Sequence, residues 1–127
     1  VAVAAALLVW NIALLVGDEG DPGTRTVAVE AADTRAAIGG EAIVLEGSDA
    51  AILRVSGIDE PGPGRGIEVW VLDDGQARSA GFLRPAEGGD LVAVVPDVSG
   101  ADALAVTEEP LTNRTAPTSP PLAQATL

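Results

Sequence analysis

The chain has 127 residues, 47% of them hydrophobic, and a net charge of −12 in which every cation is an arginine. This is enough for one domain with an apolar core. The acidic balance and scattered arginines exclude a nucleic-acid surface, which needs clustered Lys and Arg. The absence of His and Cys excludes imidazole bases, thiolate nucleophiles, the usual zinc ligands and disulfides.

Val1 to Val16 is an uncharged run, VAVAAALLVWNIALLV. As a helix it would be about 24 Å long, against a bilayer core of about 30 Å. It reads as the outer, C-terminal part of a transmembrane helix over residues 1–16. Asp18, Glu19 and Asp21 follow directly, and an acidic flank favours the extracytoplasmic side because cytoplasmic flanks carry Lys and Arg. A signal-peptide core is the competing reading, but it lacks a basic start and a small-x-small cleavage site. Residues 17–25 open with Gly, Pro and acidic residues and read as a linker.

Residues 26–127 carry short strand-like runs. They are Thr26–Glu30, Glu41–Leu45, Ala51–Val55, Ile67–Leu72, Ala77–Leu83, Asp90–Val95, Ala103–Thr107 and a weak Leu122–Leu127. Turn signals separate them, among them Gly39-Gly40, Gly47-Ser48-Asp49, Pro61-Gly62-Pro63-Gly64 and Ser99-Gly100. Ala31–Ile38 has room for one or two helical turns and no more. The pattern predicts an all-β fold, an antiparallel β-sandwich of the immunoglobulin-like, Greek-key kind. The tightest local feature is a hairpin: Ile67–Leu72 turns at Asp73-Asp74-Gly75-Gln76 and returns through Ala77–Leu83. Both faces of Ile67–Leu72 are largely apolar, so the strand is expected inside a sheet, with Trp70 as a core anchor. Gly81 is expected to mark a bulge or a close backbone approach.

Four ordered motifs carry a resemblance. Trp70 ends an apolar strand between Val69 and Val71, followed by the turn glycine Gly75. Ser79-Ala80-Gly81-Phe82 comes next. Val106-Thr107 is followed by Glu109-Pro110, and Pro117-Thr118 comes after a short gap. In order and spacing this resembles the C-terminal extracytoplasmic domain of anti-sigma-K-type factors. Two positions depart from that pattern: Glu108 stands where the family has an apolar residue, and Thr112-Asn113 where it has two glycines.

The resemblance implies a single-pass membrane protein with this domain outside the cytoplasm. A cytoplasmic region ahead of the membrane helix would bind an extracytoplasmic-function sigma factor, and site-1- and site-2-type proteases would release it. From the charge and composition, no nucleic-acid contact, cofactor or metal is expected of this portion. The competing function is an exported β-sandwich binding or adhesion domain without a sigma factor.

The motif residues are expected to shape the fold rather than react. Trp70 in a central strand is core packing before it is a ligand platform. Asp73-Asp74 before Gly75 is ordinary turn chemistry, and no loop offers the 6–8 oxygen ligands of a calcium site. Glu108 and Glu109 are neighbours on one strand and point to opposite faces, which argues against a catalytic carboxylate pair. No enzymatic activity is expected, and Glu109 is expected to fix the corner before Pro110 through hydrogen bonds. Asn113-Arg114-Thr115 fits a glycosylation sequon by chance, and Thr115–Pro121 reads as an extended lead-in to the last strand.

Overall fold

A computed structural model describes residues 23–33, 35–112 and 115–127. The expected transmembrane segment, most of the expected linker, and Asn113 and Arg114 lie outside them. No helix among the described residues is long and apolar enough to cross a membrane.

The fold is all-β, with two antiparallel sheets of five strands each. The strands are β1 (Thr24–Ala28), β2 (Glu30–Ala31), β3 (Gly39–Leu45), β4 (Ala50–Ser56), β5 (Arg65–Asp73), β6 (Gln76–Phe82), β7 (Arg84–Pro85), β8 (Leu91–Pro96), β9 (Ala103–Pro110) and β10 (Ala123–Thr126). One sheet, sheet A, runs β1-β3-β4-β8-β7; the other, sheet B, runs β2-β10-β9-β5-β6. Each expected strand run is present within a few residues. Among the described residues of Ala31–Ile38 none is helical. Asp33 makes a tight turn there instead, its carboxylate accepting from Arg35 N (2.9 Å) and its carbonyl from Ala36 N (2.9 Å). Asp and Asn side chains favour such local bonds over helix.

Period-2 alternation places the core. Along β4, Ala51, Leu53 and Val55 are buried while Ile52 and Arg54 are exposed. Ala42 and Val44 of β3 and Val95 of β8 join them from sheet A. Ile67, Val69 and Val71 of β5, Leu104 and Val106 of β9, and Ala123 and Ala125 of β10 join from sheet B. The two sheets thus enclose one aliphatic cluster.

The chain changes sheet within nearly continuous strands at two corners. Between β1 and β2 the crossing residue is Val29, whose N–H donates to Gly40 O (3.0 Å). Between β6 and β7 it is Leu83, whose N–H donates to Ile67 O (2.8 Å). Both side chains are buried, so each corner also plugs the core.

The β5–β6 hairpin forms with Asp73 opposite Gln76, and both central residues have positive φ (Asp74 52°, Gly75 81°). That is the turn whose twist matches the flanking strands. A register shift between Glu68 and Trp70 leaves an extra residue in β6, next to Gly81 at φ 93°. The expected bulge is therefore real, and glycine supplies its left-handed backbone. Gly40 is fixed for another reason: a Cβ there would sit 2.0 Å from the Arg54 carbonyl oxygen, at a φ of 143°.

Leu53, 1% exposed, lies in the shared cluster, and its neighbour Ile52 is 38% exposed. Leu53→Ala is expected to lower stability by about 2–5 kcal/mol. Ile52→Ala is expected to cost less than about 1 kcal/mol, because much of that side chain already faces water. Urea unfolding of the two variants beside the parent chain measures both.

Candidate functional site

β5 and β9 are buried on both faces. Their inner face supplies Ile67, Val69, Val71, Leu104 and Val106 to the shared cluster. Their outer face carries Glu68, Trp70, Ala103, Ala105, Thr107 and Glu109, all of them buried. Trp70 is 0% exposed, yet it does not anchor the cluster between the sheets. The strand alternation that sends Val69 and Val71 inward sends Trp70 the other way. It stands opposite Ala105, and the small Ala103 and Ala105 leave room on that face for the indole.

A polar chain starts at the indole. Trp70 Nε1 donates to Thr107 Oγ1 (2.9 Å), and Thr107 Oγ1 donates to Glu109 Oε2 (2.7 Å). Thr107 and Glu109 share a face of β9 because they are two residues apart. From the other side, the backbone N–H groups of Thr118 (2.9 Å) and Ser119 (3.2 Å) donate to Glu109 Oε2, and Thr118 Oγ1 donates to Oε1. Glu109 therefore pins the connection between β9 and β10 onto sheet B. Burial pushes its carboxyl pKa up, but the Thr118 and Thr107 hydroxyls and the Thr118 and Ser119 amides outweigh it and hold the pKa at about 2.

A second buried carboxylate lies beside this chain. Glu68, 0% exposed and directly opposite Thr107, accepts from Ser79 Oγ, whose oxygen also takes the Gly81 N–H (3.2 Å). Ser79 thus ties the β6 bulge to β5. Phe82 and Leu111 both lie against Gly66, where a Cβ would be 2.9 Å from each.

The motif residues therefore divide by place. Trp70, Thr107, Glu109 and Thr118 meet in one hydrogen-bonded chain, and Ser79 borders it through Glu68. Gly75 and Gly81 serve the turn and the bulge, Ala80 and Val106 pack with the inner cluster, and Phe82 covers Gly66. Pro110 closes β9, and Pro117 is exposed just before Thr118. Sequence reasoning missed Glu68, Gly66 and Ser119. The available signal for Glu68 was a lone carboxylate inside the apolar run IEVWVL, on the same strand face as Trp70.

Glu108, the departure from the family pattern, points to the opposite face from Glu109. Arg65 meets it there, with Nε donating to Glu108 Oε2 (2.8 Å) and Nη2 to the Glu108 carbonyl (3.1 Å). Elsewhere, a depression of about 280 Å³ is lined by Arg25, Glu46, Asp49, Ser99 and the C-terminal Leu127 among others. Its polar groups bond one another: Arg25 Nε to Glu46 Oε1 (3.2 Å) and Ser99 N to Asp49 Oδ1 (2.6 Å). The Ser99 hydrogen bonds hold the Asp49 carboxyl below its usual range. Among the described residues no group of three or more acidic side chains is placed to hold a metal ion. The arrangement is structural chemistry: one carboxylate gathers a strand, an indole and a crossing segment.

The pH dependence follows from Glu109. Its folded pKa of about 2 lies below the 4.5 of a free Glu carboxyl. Its contribution is therefore complete above pH 4.5 and fades as the pH falls toward 2, amounting to at most about 3 kcal/mol. Glu109→Gln is expected to lower stability at pH 7 and to flatten that acid limb. Chemical denaturation at pH 7, 4 and 3 reads the difference.

The family model described as "Anti-sigma-K factor rskA, C-terminal" matches residues 1–123. A curated relative from Streptomyces griseus, described as "Uncharacterized protein in phr 5'region", is 32% identical over 84 residues. That match covers 66% of this chain and 35% of the relative, so the chain spans about a third of the length of the curated protein it matches. No solved structure matches. The four ordered motifs and the match over nearly the whole length agree: the chain belongs to the family of anti-sigma-K factor C-terminal domains.

Proposed function

We propose that this chain is the membrane-tethered, extracytoplasmic part of a single-pass anti-sigma factor. Residues 1–16 form the outer part of its membrane helix, residues 17–25 a linker, and residues 26–127 an immunoglobulin-like, Greek-key β-sandwich. A cytoplasmic region ahead of the helix, in the full-length protein, holds an extracytoplasmic-function sigma factor. Site-1- and site-2-type proteases cut the regulator and free it. The domain itself is a sensory module without catalytic activity, cofactor or nucleic-acid contact.

The observation that carries this reading is the family match over residues 1–123, which takes in both the apolar segment and the β domain. The geometry supports the non-enzymatic part. Glu109 is engaged by four polar groups of the fold's own, the Thr107 hydroxyl among them, and Glu108 by Arg65. Neither carboxylate faces an open cleft with the other, as hydrolysis of a glycosidic bond requires. The acidic linker beside the membrane is a natural place for a first cut, since exposed Gly/Pro/acidic segments are readily nicked.

Topology is the direct test. A fusion of alkaline phosphatase after Leu127, which is active only outside the cytoplasm, is expected to show activity in the membrane fraction. Deleting residues 1–16 is expected to abolish both the activity and the membrane association. A full chain that fractionates as soluble cytoplasmic protein with an inactive phosphatase would overturn the reading.

A further inference from the structure

Four strands end the two sheets: β1 and β7 in sheet A, β2 and β6 in sheet B. An edge strand presents backbone N–H and C=O groups that another strand can join, and proteins blunt such edges with shortness, proline, lysine or bulges. Three of the four are blunted here. β2 and β7 have two residues each, β7 ends at Pro85, and the pairing of β6 is broken by the bulge near Gly81. β1 is not. It is a five-residue run, Thr-Arg-Thr-Val-Ala, with no Gly, Pro or Lys, and its one cation, Arg25, is held by Glu46.

The register shows which groups of β1 are open. Glu46 N donates to Gly23 O (2.8 Å), and Val29 N donates to Gly40 O (3.0 Å). Between these bonds Arg25 stands opposite Val44 and Val27 opposite Ala42. Backbone groups alternate direction along a strand, so residues 23, 25, 27 and 29 turn toward β3. Thr24, Thr26 and Ala28 turn their N–H and C=O groups away from it, toward no other strand among the described residues. The middle one adds a second feature: Thr26 Oγ1 is buried and has no hydrogen-bond partner among them.

We propose that β1 pairs antiparallel with β1 of a second copy of this chain, in a register centred on Thr26. The two five-stranded sheets then become one continuous sheet across a two-fold axis. This interface is self-complementary, as a two-fold contact must be. Thr26 faces Thr26 of the second copy, and Thr24 faces Ala28, so all the outward backbone groups of the three residues are paired. The two Thr26 side chains lie on the same face, where rotation about χ1 brings each buried, orphaned hydroxyl out to hydrogen-bond its counterpart across the strands. Arg25 falls opposite Val27 of the second copy, so the two guanidinium groups do not meet.

The chain contains no cysteine, so Thr26→Cys introduces a single thiol. The full chain is compared with Gln76→Cys, which places the thiol on the blunted β6 edge, under mild oxidation in detergent. Thr26→Cys is expected to give at least about ten-fold more covalent dimer, since directly paired Cα atoms lie within disulfide reach. Thr26→Pro removes no bond to β3, because that N–H points outward, and proline is tolerated at a sheet edge. It is expected to keep the β circular-dichroism spectrum and to convert the dimer to monomer in light scattering. Thr26→Lys is expected to do the same, and it serves if the proline variant does not fold. Equal cross-linking of Thr26→Cys and Gln76→Cys, a monomeric parent chain, or a dimer that survives both Thr26→Pro and Thr26→Lys would overturn the pairing.

Discussion

The carboxylate of Glu109 is the constraint on which the second sheet depends. A buried ionised carboxylate is tolerable only when its oxygens are fully hydrogen-bonded. Here the donors come from three places in the sequence: a side chain two residues back, two amides nine and ten residues ahead, and a hydroxyl on the same threonine as one of those amides. Meeting that requirement fixes the path of the long β9–β10 connection. It also orients the Thr107 hydroxyl, which must donate to Glu109 and so presents a lone pair to the indole N–H of Trp70. The depressed pKa of Glu109 and the position of Trp70 are two consequences of one arrangement.

This chain of bonds complements the core between the sheets. That core is aliphatic throughout, built from Val, Leu, Ile and Ala. Such a core gives close packing but little directional information, since similar volumes can exchange with modest cost. The polar chain on the outer face of sheet B is directional, because each of its donors is aimed at a particular acceptor. Burying β5 and β9 on both faces makes them the innermost strands of the domain. The fold thus takes cohesion from one face of these strands and a defined crossing path for Thr118 and Ser119 from the other.

The strands, the hairpin turn and the bulge were legible in the sequence because each has a local cause. Asp74-Gly75 requires positive φ, Gly81 permits it, and the alternation in Ala51–Val55 states which face is wet. The resemblance named Trp70, Thr107, Glu109 and Thr118, yet their meeting point was not legible. The alternation in IEVWVL separates Trp70 from Val69 and Val71 but does not say which face meets the other sheet when both are apolar. Glu68 was missed for the same reason: a carboxylate in a buried strand is explained only by its partner Ser79, eleven residues away across a bulge. Ala31–Ile38 had room for one or two helical turns, and a tight turn at Asp33, whose side chain takes a local backbone amide, stands there instead.

The geometry also explains why the motif is spread over nearly fifty positions rather than gathered in one loop. Trp70 lies on β5, Thr107 and Glu109 on β9, and Thr118 on the connection to β10. Each position follows from the antiparallel register: with Trp70 opposite Ala105, the next outward position on β9 is Thr107, and the next is Glu109. An insertion of one residue in β9 before Thr107 would turn Thr107 and Glu109 to the inner face and take the carboxylate away from the Thr118 and Ser119 amides. The spacing between Val106-Thr107 and Glu109-Pro110 is thus set by strand periodicity, while the gap to Thr118 is set by the length of chain needed to return across the sheet. Glu108, the residue between them, is free of that requirement, because its side chain leaves on the other face. A charged residue is accommodated there because its side chain is half-exposed to water and Arg65, opposite Pro110, reaches it.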